Sequence, residues 1–128
     1  MTEPVFLLDT NICIYVLRDR SSPPAERLAA CPQGSVAVST ITLAELLRGL
    51  QPNDTELGPA IEEMLRAVAL LAFDEAAARA YVGIPFKRGT FDRLIAAQAL
   101  ARDLVVVTNN ERDFADVQGL RIENWAKP

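Results

Sequence analysis

Val5-Phe6-Leu7-Leu8-Asp9-Thr10-Asn11 is the stretch on which the fold turns. A short apolar strand (Val5 to Leu8) stops at an acid, and Ile12 to Arg18 follows with Ile12, Ile14, Tyr15 and Leu17 as the apolar positions of a short helix. A strand that passes straight into a helix opens an α/β unit. In open α/β sheets ligands bind at the carboxyl ends of the strands, so Asp9 stands where chemistry is expected.

The rest of the chain repeats that alternation. Pro23 and Pro24 open a helix reaching about Ala30, because the N–H groups they lack are unbonded in a first turn anyway. Val36 to Ser39 is a strand, Thr42 to Leu50 a helix with Leu43, Leu46, Leu47 and Leu50 on its apolar face, and Pro52-Asn53-Asp54 a break. A helix from Thr55, its expected N-cap, to Ala67 precedes Val68 to Phe73, which reads as a short strand in preference to the tail of that helix. Asp74 caps a helix from Glu75 to Val82, and Gly83 to Gly89 is a loop carrying Lys87 and Arg88. Phe91 to Arg102 is apolar almost all round, as a helix buried between layers should be, with Phe86, Phe91 and Phe114 assigned to the core. Leu104 to Val107 reads as a strand buried on both faces, followed by a short helix near Glu111 to Ala115 and a closing strand, Leu120 to Glu123. The expected architecture is α/β: one three-layer α/β/α domain over residues 1–128, with a central parallel sheet of four to five strands.

Composition narrows the function classes. Half of the 128 residues are hydrophobic and Gly plus Pro number 14, which fits a folded domain rather than extended disorder. The net charge of −4 argues against a protein held on nucleic acid mainly by neutralising phosphates, though not against an enzyme that meets nucleic acid through bound metal. Cys13 and Cys31 have neither metal-ligand spacing nor a disulfide framework, and Cys13 reads as a buried thiol. With no signal-like segment and no apolar run long enough to span a bilayer, a soluble cytoplasmic protein without membrane partners is expected.

Four carboxylates fall near strand ends: Asp9, Glu45 in the helix after the second strand, Asp92 in the first turn of the apolar helix, and Asp113 after Thr108-Asn109-Asn110. Each has a plain structural reading as well. Asp9 could cap a helix, Glu45 could pair with Arg48 or Arg18, Asp92 could answer a helix dipole, and Asn110 with Asp113 could be a capping pair. Together they say more. Four half-buried acids in one place repel each other unless something offsets their charge, and a hard divalent cation with oxygen ligands does so. In a chain with no histidine, water activated by that metal is the best nucleophile available, and phosphodiester hydrolysis the natural reaction. Arg18, Arg20, Lys87, Arg88, Arg93 and Arg112 could rim the acids and position phosphates.

The chain resembles the PIN-domain ribonucleases, specifically the VapC-type toxins of toxin–antitoxin pairs. The resemblance lies in Phe6-Leu7-Leu8-Asp9-Thr10-Asn11, Ser39-Thr40-Ile41-Thr42-Leu43-Ala44-Glu45-Leu46, Phe91-Asp92-Arg93-Leu94-Ile95-Ala96-Ala97-Gln98-Ala99-Leu100, and Val107-Thr108-Asn109-Asn110 with Asp113-Phe114, Gly119-Leu120 and Glu123-Asn124-Trp125. It implies Mg²⁺- or Mn²⁺-dependent endoribonuclease activity, with Asp9, Glu45, Asp92 and Asp113 holding metal and activating water. Asn11, Thr108, Asn109 and Arg93 would support the site or position substrate. It further implies a homodimer and a cognate antitoxin protein, with DNA met only through that antitoxin. The Asn-Asn and Glu-Asn-Trp ending is similar to members that cut the anticodon stem-loop of initiator tRNA, whereas the short stretch Ala80 to Thr90 looks more like another subgroup.

Two rivals differ in class. A haloacid-dehalogenase-like phosphatase needs a second acid two residues after the first, where this chain has Asn11. A catalytically inactive PIN-like module that only binds RNA or protein would be marked by loss of one of the four acids, and none is missing.

Overall fold

The structure, a computed structural model, describes residues 3–88 and 90–127. Its elements run β1 (Phe6–Leu8), α1 (Thr10–Arg18), α2 (Pro23–Ala30), β2 (Val36–Ser39), α3 (Thr40–Arg48), α4 (Leu57–Ala67), β3 (Ala69–Leu71), α5 (Glu75–Tyr81), α6 (Asp92–Arg102), β4 (Val105–Val107), a 3₁₀ turn (Glu111–Asp113) and β5 (Ile122–Glu123). The strands form one parallel sheet in the order β3-β2-β1-β4-β5. The α/β expectation holds, with five strands among the described residues. After β1 the chain builds outward on one side through β2 and β3, then returns to add β4 on the other. The β1/β4 seam is thus the topological switch point, where the carboxyl ends open a crevice.

Side-chain alternation along the strands makes the layers. Leu7, Ala37 and Val106 lie in register and point to one face, where they pack with Ile95, Ala96, Ala97 and Ala99 of α6 and with Phe114. Leu8, Val38 and Val107 point to the other, against Ile12 and Cys13 of α1, Leu46 of α3, and Ile61 and Met64 of α4. Both faces of β1 are covered, as parallel strands require. Each fully buried Leu or Ile contributes about 1.5–3 kcal/mol.

The carboxyl-terminal segment is pinned by Trp125, which is 2% exposed. Its ring meets Phe6 edge-on at 5.1 Å and lies under the Arg27 guanidinium at 5.3 Å, and its indole N–H donates to Glu123 at 3.0 Å. Arg27 also pairs with Glu123, so α2, β1 and β5 meet at one indole.

Several expectations need correction. The helices α1 and α3 begin two residues earlier than expected, because Asp9 and Ser39 themselves are the caps, accepting from Ile12 N at 2.9 Å and Ile41 N at 3.0 Å. Thr55 does not cap α4; the Asp54 carboxylate accepts from Leu57 N instead, and the helix starts later. The expected short helix at Glu111 is a 3₁₀ turn. Phe86 and Phe91 are not core: they are 75% and 53% exposed, whereas Phe114 is buried. Gly89, the end of the expected loop, lies outside the described residues. No helix among those residues is long and apolar enough to cross a membrane.

Candidate active site at the carboxyl edge of the sheet

Asp9 follows the last residue of β1 and is 2% exposed. Its backbone N–H donates to Val107 O at 3.0 Å, extending the β1–β4 seam by one rung. Its carboxylate accepts from Ile12 N, and the nearby Thr108 side chain favours its ionised form. Burial nevertheless pushes its pKa from 3.8 to about 6, with Asp92 and Asp113 adding repulsion against the stabilising hydrogen bonds. The capping reading and the functional one are therefore compatible, since one oxygen caps α1 while the group stays poised near neutrality.

Asp92 occupies the first turn of α6, half-buried, with its N–H on the Thr90 hydroxyl at 3.0 Å. Burial lifts its pKa above the ordinary carboxylate range, and Asp113, within hydrogen-bonding reach, and Glu45 lift it further. Asp92 and Asp113 thus act on Asp9, and Asp113 and Glu45 on Asp92, although the four come from separate parts of the chain.

Three of the four acids are aimed by a neighbour. The Thr10 hydroxyl donates to Glu45 Oε1 at 2.6 Å and lies 3.2 Å from the buried Thr42 hydroxyl, so α1 fixes a carboxylate carried by α3. Glu45 pairs with neither Arg18 nor Arg48 among the described residues. Asn110 Nδ2 donates to Asp113 Oδ2 at 2.7 Å. Thr108 is fully buried; its hydroxyl oxygen accepts from Asn110 N at 3.0 Å, and its side chain favours the ionised form of Asp9. Thr10 is the residue that sequence reasoning missed; its partner lies 35 positions away, and no local pattern marks it.

Arg93 is not on the rim. It is 1% exposed, and it donates from Nη1 to Asp116 at 2.7 Å and from Nη2 to the Asp113 carbonyl at 2.9 Å. The planar fork grips the turn that carries Asp113 from behind, and the guanidinium holds the Asp116 carboxyl below its usual range. Arg20 also leaves the expected rim, paired with Glu63 at 2.7 Å. Arg18, Lys87, Arg88 and Arg112 remain exposed. Asn11 is exposed on the first turn of α1, and Asn109 is half-buried beside Thr108.

The donor set is all oxygen, which suits a hard cation such as Mg²⁺ or Mn²⁺ rather than a thiophilic one. Two observations bear on the fit. The raised pKa values of Asp9 and Asp92 mean that ionising this cluster is costly without added positive charge. Asn109 Oδ1 is buried without a hydrogen-bond partner, an uncommon condition for an acceptor beside a functional crevice. Among the described residues, no three acids are drawn close enough to grip an ion as they stand. Hydrogen bonds from Thr10, Ile12 N and Asn110 hold Glu45, Asp9 and Asp113 individually.

The chain has clear likenesses among known proteins. Residues 6–120 match the PIN domain family model. The chain is 38% identical to the tRNA(fMet)-specific endonuclease VapC of Shigella flexneri, across 94% of this chain and 98% of that protein. Among solved structures it is similar to the DNA-bound VapBC of Salmonella typhimurium, with TM-score 0.85 and 32% identity over 95% of this chain and 98% of that one. It is equally similar in fold to VapBC2 of Rickettsia felis bound to a DNA fragment from their promoter, with TM-score 0.85 and 26% identity over 94% and 98% of the two chains. The chain belongs to the PIN-domain family and, within it, to the VapC ribonucleases.

Proposed function

We propose that the protein, read as a single domain over 1–128, is a divalent-metal-dependent endoribonuclease, the toxin of a type II toxin–antitoxin pair, with initiator tRNA as its substrate. The observation that carries this reading is the coupled set Asp9, Glu45, Asp92 and Asp113 at the switch point of a parallel sheet, with Asp9 poised at about 6. The likeness to a tRNA(fMet)-specific endonuclease over nearly the full chain supports the substrate. The likeness to VapBC complexes, two of them solved on DNA, supports an antitoxin partner through which DNA is reached. A homodimer is part of the same proposal.

Asp9, Glu45, Asp92 and Asp113 are the residues that would hold Mg²⁺ or Mn²⁺. When bound, the ion would supply Lewis acidity toward a phosphoryl oxygen and a lowered pKa for a water. The chain's own residues supply position. Thr10 orients Glu45, Ile12 N fixes Asp9, and Asn110 fixes Asp113, with Arg93 anchoring its backbone. In the metal-free chain burial keeps Asp9 protonated up to about pH 6, so ion binding at this cluster would be accompanied by proton release.

The test is incubation of antitoxin-free protein with total tRNA and defined single-stranded RNAs, with Mg²⁺, with Mn²⁺ and with chelator, beside Asp9→Asn and Asp92→Asn. Discrete cuts that need metal and vanish in both variants are expected. No cleavage of any RNA by folded, metal-supplied protein would replace this reading with that of an inactive RNA- or protein-binding module.

A further inference from the structure

The segment leading into Asp92 turns two aromatic rings and two cations to solvent. Ile84 anchors its start, buried in the core cluster that contains Phe114. Beyond Ile84 the side chains leave the core: Phe86 is 75% exposed, Lys87 and Arg88 are exposed, and Phe91, immediately before Asp92, is 53% exposed. The segment lies close to the acidic crevice. Thr90 holds the Asp92 N–H, and the charge of Lys87 is felt at Asp116, the carboxylate that Arg93 grips together with the Asp113 carbonyl. Among the described residues neither Lys87 nor Arg88 makes an ion pair.

Exposed ring faces interleaved with unpaired cations fit single-stranded RNA: the cations meet phosphates, and unstacked bases lie on the rings. We propose that Phe86 and Phe91, with Lys87 and Arg88, form the platform that receives unpaired nucleotides beside the scissile bond. This inference rests on the ribonuclease reading above, and it names side chains that grip substrate without touching the reacting atoms. It accounts for two phenylalanines left in water next to a catalytic acid, where a purely structural segment would tuck them in. It also explains how a chain of net charge −4 can hold RNA, because the positive charge is needed only locally.

Binding and turnover are measured separately. Affinity for fluorescent initiator tRNA and for an unstructured oligoribonucleotide is read by anisotropy in the Asp9→Asn background, which is expected to bind without cutting. Phe86→Ala and Phe91→Ala should each weaken binding about 5- to 150-fold, the range expected for one lost stacking contact. Phe86→Tyr should restore affinity and Phe86→Leu should not, since only an aromatic ring stacks. Lys87→Ala should reduce the slope of log affinity against log salt by about 0.7. In the active protein the Phe86→Ala change should appear in KM with kcat nearly unchanged. Unaltered RNA affinity in both Phe→Ala variants overturns the platform, and a simultaneous loss of dimer or antitoxin affinity would assign the rings to a protein interface instead. If the parent cuts no RNA yet binding still depends on Phe86, the nuclease reading fails and the platform stands. Absence of RNA binding by the parent overturns both.

Discussion

Replacing Asp9 with asparagine should stabilise the metal-free protein at neutral pH, although it removes a proposed catalytic acid. In the folded chain the Asp9 pKa is about 6, against 3.8 for an unhindered carboxyl. At about 1.36 kcal/mol per pKa unit, holding this carboxylate ionised costs the fold about 3 kcal/mol. The sign follows from proton uptake: between about pH 4 and 6 the native state binds more protons than the unfolded one, so stability falls as pH rises through that window. Below it Asp9 is protonated in both states and the penalty disappears. The asparagine amide would keep an oxygen to cap Ile12 N but carry no charge for Asp92 and Asp113 to repel, so a gain of about 1–3 kcal/mol is expected at about pH 7.5. Urea unfolding in chelator, at about pH 7.5 and about pH 4, reads both limits. The variant should be more stable at the higher pH and nearly equal to the parent at the lower one. Added Mg²⁺ should stabilise the parent, by about 2.7 kcal/mol at a hundredfold excess over its dissociation constant, and the variant far less. An Asp9→Asn protein less stable than the parent at neutral pH, or a gain that persists unchanged in acid, would refute the reasoning.

Other side chains give separable outcomes. Thr10→Val keeps the shape of the side chain but frees Glu45 from its 2.6 Å hydrogen bond, and should lower kcat about ten- to hundredfold with KM nearly unchanged, as steady-state cleavage would measure. Arg93→Lys cannot span Asp113 O and Asp116 as a planar fork does; it should cost about 1–3 kcal/mol in urea unfolding and reduce cleavage while leaving RNA affinity in place. Trp125→Ala removes the indole that joins β1, α2 and β5 and should cost about 3–5 kcal/mol, read as a lower unfolding midpoint. Cys13 is fully buried and burial drives its thiol pKa up, so thiol reagents should reach it only on unfolding.

Local signals carried most of the architecture. The run from Val5 to Asp9, the β-branched Val105–Val107 and the apolar α6 each dictate a strand or buried helix by themselves, and their alternation implies the parallel sheet. Helix starts were less legible, because Asp9, Ser39 and Asp54 act as caps one to three residues from where periodicity alone sets the boundary. Whether a residue faces core or water depends on what the fold brings alongside it. Arg93 looks like a surface cation until Asp116 and the Asp113 carbonyl come round to meet it, and Phe86 and Phe91 look like core until the segment before α6 leaves them outside. The four acids could be named from their strand-end positions. The coupling among them, and the Thr10 hydroxyl that aims Glu45, exist only once β2, β1 and β4 lie side by side.

The most direct test of the central claim is anomalous diffraction from crystals of the protein soaked with Mn²⁺ in place of Mg²⁺. An anomalous peak among the Asp9, Asp92 and Asp113 carboxylates, at oxygen distances of about 2 Å and lost in Asp92→Asn, is the predicted result. A fully soaked crystal with no peak there, from protein that still cleaves RNA, would contradict the account.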